Sequence, residues 1–407
     1  MKTVFVLVDA LKSLYLTQEN MPFLFELSQR SYYIRTIIPC AGFCERSEIF
    51  TGLDGYDTGN FTAIGFLPEI SPYKNDRITL KCFSTLNRIS KRICNRIFSR
   101  WRIKNRKALN KYRIPYTSLK NFALTEDGEK QFTNYETLFE KLDYSNLTYT
   151  LDAFTSLADF AQRLNVPLEE FAKSEIDKET YFIPLYIGII DSMGHKYGAN
   201  MEGLKPYLKG IDNQLNNLYD YAQKKGYVFA VMGDHGMVPV TKKVDIKSVV
   251  EECPFKQGIN YEVFYDSTMV RFWFFDNKAE RYIRELMERD FSNDGFLVDQ
   301  TNCAKYRIPL DIFSTTGKPV YGDLVWCANP GVLVSPDYFH SVYASENGMH
   351  GYIEVVDGHS TGLFVSDSPI LGSSYQEIGH SSEVCELLSQ MLEIEAPNSY
   401  LWSRKIK

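Results

Sequence analysis

The sequence predicts an α/β fold with a parallel or mixed sheet, and three observations lead there. Residues 4–8, 182–190 and 227–232 are short, continuous apolar runs rich in β-branched and aromatic side chains. Strands buried on both faces of a sheet read this way. Each run leads into an aspartate: Asp9, Asp191 and, after Gly233, Asp234. Between them lie stretches with helical spacing, and strands alternating with helices pack as a sheet covered on both faces. Such sheets bind ligands off the carboxyl ends of their strands, which is where the three aspartates are expected.

The other elements follow in chain order. Asn20-Met21-Pro22 predicts a helix start, with Asn as cap and Pro in the first turn. Residues 33–38 read as a strand and 147–151 as a weak one. Leu208, Ile211, Leu215 and Leu218 place a helix over 203–224. Further on, 262–275, 324–334 and 363–365 read as strands, and 277–289 and 382–393 as helices. Ser382 is a candidate cap for the last helix, with His380 in its lead-in. Two stretches break the rhythm: 67–145 reads as a basic helical insertion and 241–344 as a cap insertion. The core is then 1–66, 180–240 and 345–407. In the cap, Arg271 or Trp273 are candidates to face a substrate, with core packing the plainer role of the aromatic residues around them.

At 407 residues the chain is long enough for one large α/β domain with insertions, or for two domains. A net charge of -6 argues against a molecule that coats nucleic acid as a whole. The eight cysteines are scattered without a C-x-x-C pair, which fits a reduced, cytoplasmic protein better than a disulfide framework. Asp9 interrupts the apolar N-terminus and no small-residue cleavage site follows, so a signal peptide is not expected. No window holds the roughly 18–20 apolar residues of a membrane span. The expected attachment is peripheral at most.

Chemistry concentrates in three short motifs. In Asp191-Ser192-Met193-Gly194-His195 the carboxylate and imidazole stand at i and i+4 and reach one point if a helix or loop follows the strand. In Asp234-His235-Gly236-Met237 adjacent side chains converge at a strand-end turn, where Gly236 permits the bend. Gly348-Met349-His350-Gly351-Tyr352 adds an imidazole between glycines. Carboxylate with imidazole is a donor set for zinc and similar divalent ions. Any one motif alone is a turn or a helix cap. The chain has six histidines, and three of them fall here. A further histidine, His359 in Asp357-Gly358-His359, is a second candidate for the role of His350.

Together with the N-terminal strand ending in Asp9, these motifs resemble the type I phosphodiesterase/nucleotide pyrophosphatase branch of the alkaline phosphatase superfamily. The resemblance covers 1–66, 180–240 and 345–395. It implies an alkaline-phosphatase-like three-layer α/β sandwich with an inserted cap region. It also implies two divalent metal ions, zinc first and Mn2+ or Mg2+ as alternatives. One would be held by Asp191, His195 and His350, the other by Asp9, Asp234 and His235. Two cations about 4 Å apart stabilise the attacking and leaving oxygens of an in-line displacement at phosphorus. The implied activity is hydrolysis of a phosphodiester or pyrophosphate bond in a nucleotide, nucleotide sugar or lipid-linked phosphate.

The chain departs from the family at the nucleophile. There a Thr or Ser stands nine residues before a Thr-Gly-Leu; counting back from Thr51-Gly52-Leu53 reaches Gly42. Cys44 as a thiolate and Ser47 as an alkoxide are the replacements in reach, and direct attack by water is a third route. Arg46 is a candidate ligand for a phosphoryl oxygen. Cys44-Glu45-Arg46-Ser47 also has a faint likeness to the sulfatase signature, without its Pro. A sulfatase, a phosphotransferase or mutase on the same fold, and a non-catalytic metal- or phosphate-binding protein are the rival readings.

Residues 81–113 hold many Lys and Arg and no acidic residue. Leu86, Ile89, Ile93, Ile97 and Trp101 recur at helical spacing, so the segment is amphipathic if helical. It reads as a membrane-surface element, as a basic lid that attracts anionic substrate, or as a solvated helix packed through its isoleucines. Nucleic acid is a weaker fit. The expected substrate is a phosphorylated small molecule or a lipid-linked one.

Overall fold

Along the first strand, Thr3–Val8, every residue is buried, and successive side chains enter opposite cores. Val4, Val6 and Val8 pack on one face, Phe5 and Leu7 on the other. That alternation defines a layer with apolar cover on both sides. The structure, a computed structural model, describes residues 1–107, 109, 113–125, 135–154, 166–340 and 346–399.

The chain divides into two units, the first comprising 1–58, 128–240 and 345–407. Its sheet has six strands: β1 (Thr3–Val8), β2 (Tyr32–Ile38), β3 (Phe182–Ile187), β4 (Val228–Gly233), β5 (Gly362–Ser366) and β6 (Tyr375–His380), in the order β6-β2-β5-β4-β1-β3. β3, β1 and β4 run parallel, β5 runs antiparallel to both β4 and β2, and β6 is parallel to β2. One face is covered by helices Pro22–Arg30, Leu168–Asp177 and Met201–Lys224. The other carries Glu45–Thr51, Leu138–Tyr144 and Glu383–Leu392. The result is helix, sheet, helix. Each fully buried Val, Leu or Phe on these faces contributes about 1.5–3 kcal/mol relative to exposure.

The long helix Met201–Lys224 follows the predicted stripe, with Leu208, Ile211, Leu215 and Leu218 buried. The helix expected at Pro22 begins there, with Pro in its first turn and Met21, not Asn20, at the cap. The apolar run at 182–190 is divided: the strand stops at Ile187, and a helix, Ile189–Tyr197, takes up Ile189, Ile190 and Asp191. β6 was not foreseen. Its residues are mostly exposed at the sheet edge, so no apolar period marks it. No strand forms at 147–151 beyond a single bridge from Tyr149 to Phe182.

The second unit comprises 59–127 and 241–344. A four-stranded sheet in the order Gly295–Val298, Leu324–Ala328, Met269–Phe274, Tyr261–Tyr265 is antiparallel throughout. The 262–275 run is therefore two strands of a hairpin, turned at Asp266-Ser267-Thr268. Arg271 and Trp273 are fully buried within this unit, as core packing requires and not as surface side chains. The basic segment forms two helices, Arg77–Ile89 and Lys91–Lys104. Residues 108 and 110–112 of that run lie outside the described residues. No described helix is long and apolar enough to cross a membrane.

Candidate metal centre

Four chain segments meet in the first unit beyond the ends of β1 and β4. Asp9 directly follows β1, and Asp234 and His235 directly follow β4. Asp191 stands in the first turn of Ile189–Tyr197, with His195 one turn on. The expectation of a third strand-end aspartate is corrected accordingly: the i, i+4 relation places both side chains on one helix face. His350 is brought in by a short ladder, in which Gly348–Met349 pairs with Val238–Pro239 just after His235.

The ligand atoms of Asp9, Asp234 and His235 lie within 4.8 Å of one another, and so do those of Asp191, His235 and His350. His350 Nε2 is 3.5 Å from Asp191 Oδ1. The rings of His235 and His350 stack at 3.9 Å. His195 reaches the cluster through Asp191, its Nε2 lying 3.2 Å from Asp191 Oδ1. All six residues come together, with His235 belonging to both groups.

The histidine orientations carry the most information. His235 Nδ1 is 2.8 Å from the Gly236 carbonyl, and His195 Nδ1 is 2.9 Å from the Gly348 carbonyl. A carbonyl can only accept, so each Nδ1 holds the proton, and in the neutral ring Nε2 is a lone pair. Those lone pairs face carboxylates: Asp9 Oδ1 at 3.0 Å from His235, Asp191 Oδ1 at 3.2 Å from His195. Both oxygens are buried and receive no well-aligned hydrogen bond. Acceptor facing acceptor is unfavourable unless a proton or a metal ion lies between them. Imidazole fixed by a carbonyl on its far nitrogen is also how metal-binding histidines are held. The residues fit divalent ions.

Electrostatics point the same way. Burial pushes Asp234 up to about 6, with His235 offsetting part of this and Asp9 adding to it. Burial also opposes charge on His235, but Asp234 and Asp9 outweigh it and hold the imidazole well above its usual value. Asp9 shows the converse balance. Burial works against its charge, while His235, Tyr186 and Arg46 keep its pKa below the usual carboxylate value. Asp234 Oδ1 accepts from the backbone N–H of Ala10 (3.2 Å) and of His235 (3.0 Å), which ties the two strand ends together.

Several neighbours escaped the sequence reading. Tyr186 donates its hydroxyl to Asp9 Oδ2, and the Arg46 guanidinium lies 4.5 Å over the Tyr186 ring. Phe43 packs edge-on against His350 at 5.4 Å. Glu45 is buried, and its carboxyl is pushed up to about 7, chiefly by burial, with Asp234 and Asp9 contributing. Glu346 Oε2 lies 3.7 Å from His195 Nδ1. Tyr186 and Glu346 sit in no motif, and Phe43 and Glu45 flank Cys44 in a stretch read only for its nucleophile and its arginine. Cys44 caps the helix Glu45–Thr51 between Phe43 and Glu45 and is buried, as is Ser47 one turn on. His359 lies outside both groups. Its backbone carbonyl presses on Gly236, where a Cβ would stand 2.1 Å from it. Gly236 is therefore needed for this close approach rather than for a bend. His380 ends β6 at the surface.

A sequence profile of the type I phosphodiesterase/nucleotide pyrophosphatase family matches residues 3–353. The chain belongs to that family. No curated protein sequence matches it. Among solved structures, human ectonucleotide pyrophosphatase/phosphodiesterase 5 superposes with a TM-score of 0.68 at 13% identity, covering 97% of this chain and 96% of that one. The murine protein, as an inactive variant in complex with AMP, gives 0.67 at 12% over the same shares. At such identity these likenesses concern the fold alone. With the family match, they make the chain a phosphodiesterase/nucleotide pyrophosphatase-like hydrolase, and membership implies the use of divalent metal.

Proposed function

We propose that this family member hydrolyses phosphodiester or pyrophosphate bonds in nucleotide, nucleotide-sugar or lipid-linked phosphates, with two zinc ions held by Asp9, Asp191, His195, Asp234, His235 and His350. One observation carries the reading: imidazole Nε2 atoms face buried carboxylate oxygens that receive no well-aligned hydrogen bond. Bound there, the ions would supply positive charge to the phosphoryl oxygens and to the attacking and leaving groups. The protein's own residues do the positioning. Tyr186 and the two backbone N–H groups on Asp234 fix the carboxylates, and Phe43 fixes His350. Arg46, held over Tyr186 and Phe154, is the residue assigned to a phosphoryl oxygen.

Cys44 is the proposed nucleophile, with Ser47 the alternative one turn on. Cys44 stands between Phe43, which touches His350, and Glu45, whose carboxyl senses Asp234 and Asp9. Its thiolate would attack phosphorus as the bond to the leaving oxygen breaks, and water would then cleave the S–P bond. The murine structural neighbour is in complex with AMP, which favours nucleotide esters as the first substrates to try.

Metal content and turnover of bis-p-nitrophenyl phosphate test this, in wild type and in Asp234→Ala, Cys44→Ala and Ser47→Ala. The expected result is about two metals per chain, with turnover lost in Asp234→Ala and in Cys44→Ala. A dead Ser47→Ala beside an active Cys44→Ala would move the nucleophile. Bound metal without turnover on any phosphoester would favour a binding protein, and no bound metal would overturn the reading.

A further inference from the structure

The basic helices turn an unexpected face outward. On spacing, Leu86, Ile89, Ile93, Ile97 and Trp101 form the apolar stripe of one helix. In the structure the helix breaks at Ser90, whose Oγ accepts from the Ile93 amide at 3.5 Å, and the inward face changes. Leu80, Phe83, Cys94 and Phe98 are buried, and Trp101 packs against Phe83 and Phe98. The isoleucines point to solvent: Ile78 is 82% exposed, Ile89 79% and Ile103 68%, with Ile93 and Ile97 also exposed. On Lys91–Lys104 they are interleaved with Arg92, Arg96, Arg100 and Lys104. No acidic residue occurs between 77 and 107.

Isolated exposed apolar residues are ordinary. Five isoleucines on one helical pair, set among cations without a carboxylate, are a surface of definite chemistry. Its complement is anionic and apolar together, as phospholipid headgroups above acyl chains are. Guanidinium groups pair with phosphates in bidentate fashion, while the isoleucines enter the acyl boundary. Single-stranded nucleic acid would meet the charge but not the isoleucines. The aromatic rings on which its bases would stack, Phe83, Phe98 and Trp101, are packed against one another instead.

We propose that the helical pair Arg77–Ile89 and Lys91–Lys104 docks on the surface of an anionic phospholipid membrane. The helices lie in the plane of the headgroups and do not span.

Cys82 gives a direct test. It sits on this pair and is exposed, whereas the other seven cysteines are buried. An environment-sensitive dye on Cys82 of the full chain is titrated with phosphatidylcholine vesicles with and without one third phosphatidylglycerol, alongside flotation. Anionic vesicles should blue-shift the dye and float the protein, less so at high salt. Arg92→Gln with Arg96→Gln and Arg100→Gln should weaken partitioning roughly a hundredfold, at about 1 kcal/mol per basic side chain and 1.4 kcal/mol per tenfold. Ile93→Asp with Ile97→Asp should abolish the blue shift, with melting and vesicle-free phosphodiester turnover as in wild type. Failure of wild type to float with anionic vesicles would overturn the proposal, as would equal binding to neutral ones. An unchanged Ile93→Asp/Ile97→Asp variant would also overturn it, and would indicate a purely acidic partner. The vesicle readout needs no turnover, so it can succeed or fail apart from the hydrolase reading.

Discussion

In the second unit, Asp266 and Arg271 are both buried, and the protein itself balances their charges. Arg271 Nε donates to Asp266 Oδ2 at 2.7 Å, Nη1 donates to the Ile64 carbonyl at 2.7 Å, and the guanidinium lies 4.7 Å over Phe264. Nearby Glu262 accepts from Ser118, Asn121 and Gln257 at 2.7–2.8 Å. In the first unit the buried charges are left unbalanced. Asp9, Asp191 and Asp234 crowd round three imidazoles, two of which turn Nε2 to carboxylate oxygens across a gap that a proton or a metal ion must fill. Opposite charges set against each other hold structure; carboxylates of like charge crowded together ask for a cation from outside. The difference separates a core from a site without reference to any motif.

Removing one carboxylate from each cluster should break the comparison most sharply if it is wrong. Asp234→Ala should lower metal affinity and turnover by more than about 100-fold, the upper range seen when only a ligand's supporting residue is lost. It should lower the metal-free melting temperature less than Asp266→Ala does, because relief of burial and of repulsion from Asp9 offsets the lost contacts to the Ala10 and His235 amides and to the His235 imidazole. Asp266→Ala should do the reverse. It leaves Arg271 buried without its partner, at a cost of about 3–5 kcal/mol, with metal content unaltered. Elemental analysis and thermal melting on the two variants read both effects. Exchanged outcomes would erase the distinction.

Metal removal should be next in size. Ligand at about 100 times its Kd stabilises the folded state by about 2.7 kcal/mol per site. Chelation should therefore lower the melting midpoint of wild type, and added zinc should restore it. The same titration on Asp9→Ala should give a smaller rise. A wild-type midpoint indifferent to zinc would mean the first cluster is closed by protons alone.

Glu48 sharpens the comparison from within the first unit, because it is buried there yet closed. Its carboxylate accepts from the Gly55 amide at 2.7 Å and from the Ser381 hydroxyl. Burial, with Asp54 adding, pushes its pKa up to about 8. A carboxyl raised on folding holds its proton better in the folded chain, so its contribution falls as pH rises from the ordinary value of 4.5 through about 8. Glu48→Gln can keep both contacts and cannot ionise. It should flatten the decline in melting temperature across that window, at about 2–4 °C per kcal/mol for a domain of 150–250 residues. Parallel curves for the two proteins would show that Glu48 is not held protonated.

Much of the centre was legible because its backbone is dictated by apolar runs. Val4 to Val8 has one place to go in an α/β fold, and Asp9 follows from it. The 182–190 run was harder: Ile189 and Ile190 suit a buried strand or the first turn of a helix equally, and tertiary packing chose the helix. The basic segment shows the same limit. Its isoleucine period is real, but a break at Ser90 resets the phase, and aromatic residues with larger buried surfaces take the inward face. Tyr186, Glu45 and Phe43 were invisible, since each reaches the metal centre only through the placement of a neighbouring strand or turn.

The smallest expected effect concerns Gly42, nine residues before Thr51-Gly52-Leu53. Gly42 has φ of 88°, a conformation that a residue with a Cβ adopts at a cost. Its side chain is therefore not simply missing. A threonine placed there would have to adopt the left-handed backbone that Gly42 holds. Gly42→Ala should cost about 1 kcal/mol in stability, and Gly42→Thr more because β-branching adds strain. Phosphodiester turnover should not rise in either variant. Denaturant titration with turnover on the same preparations decides it. A Gly42→Thr protein that is as stable as wild type and faster would show that the old position is still open, and that Cys44 has not taken its place.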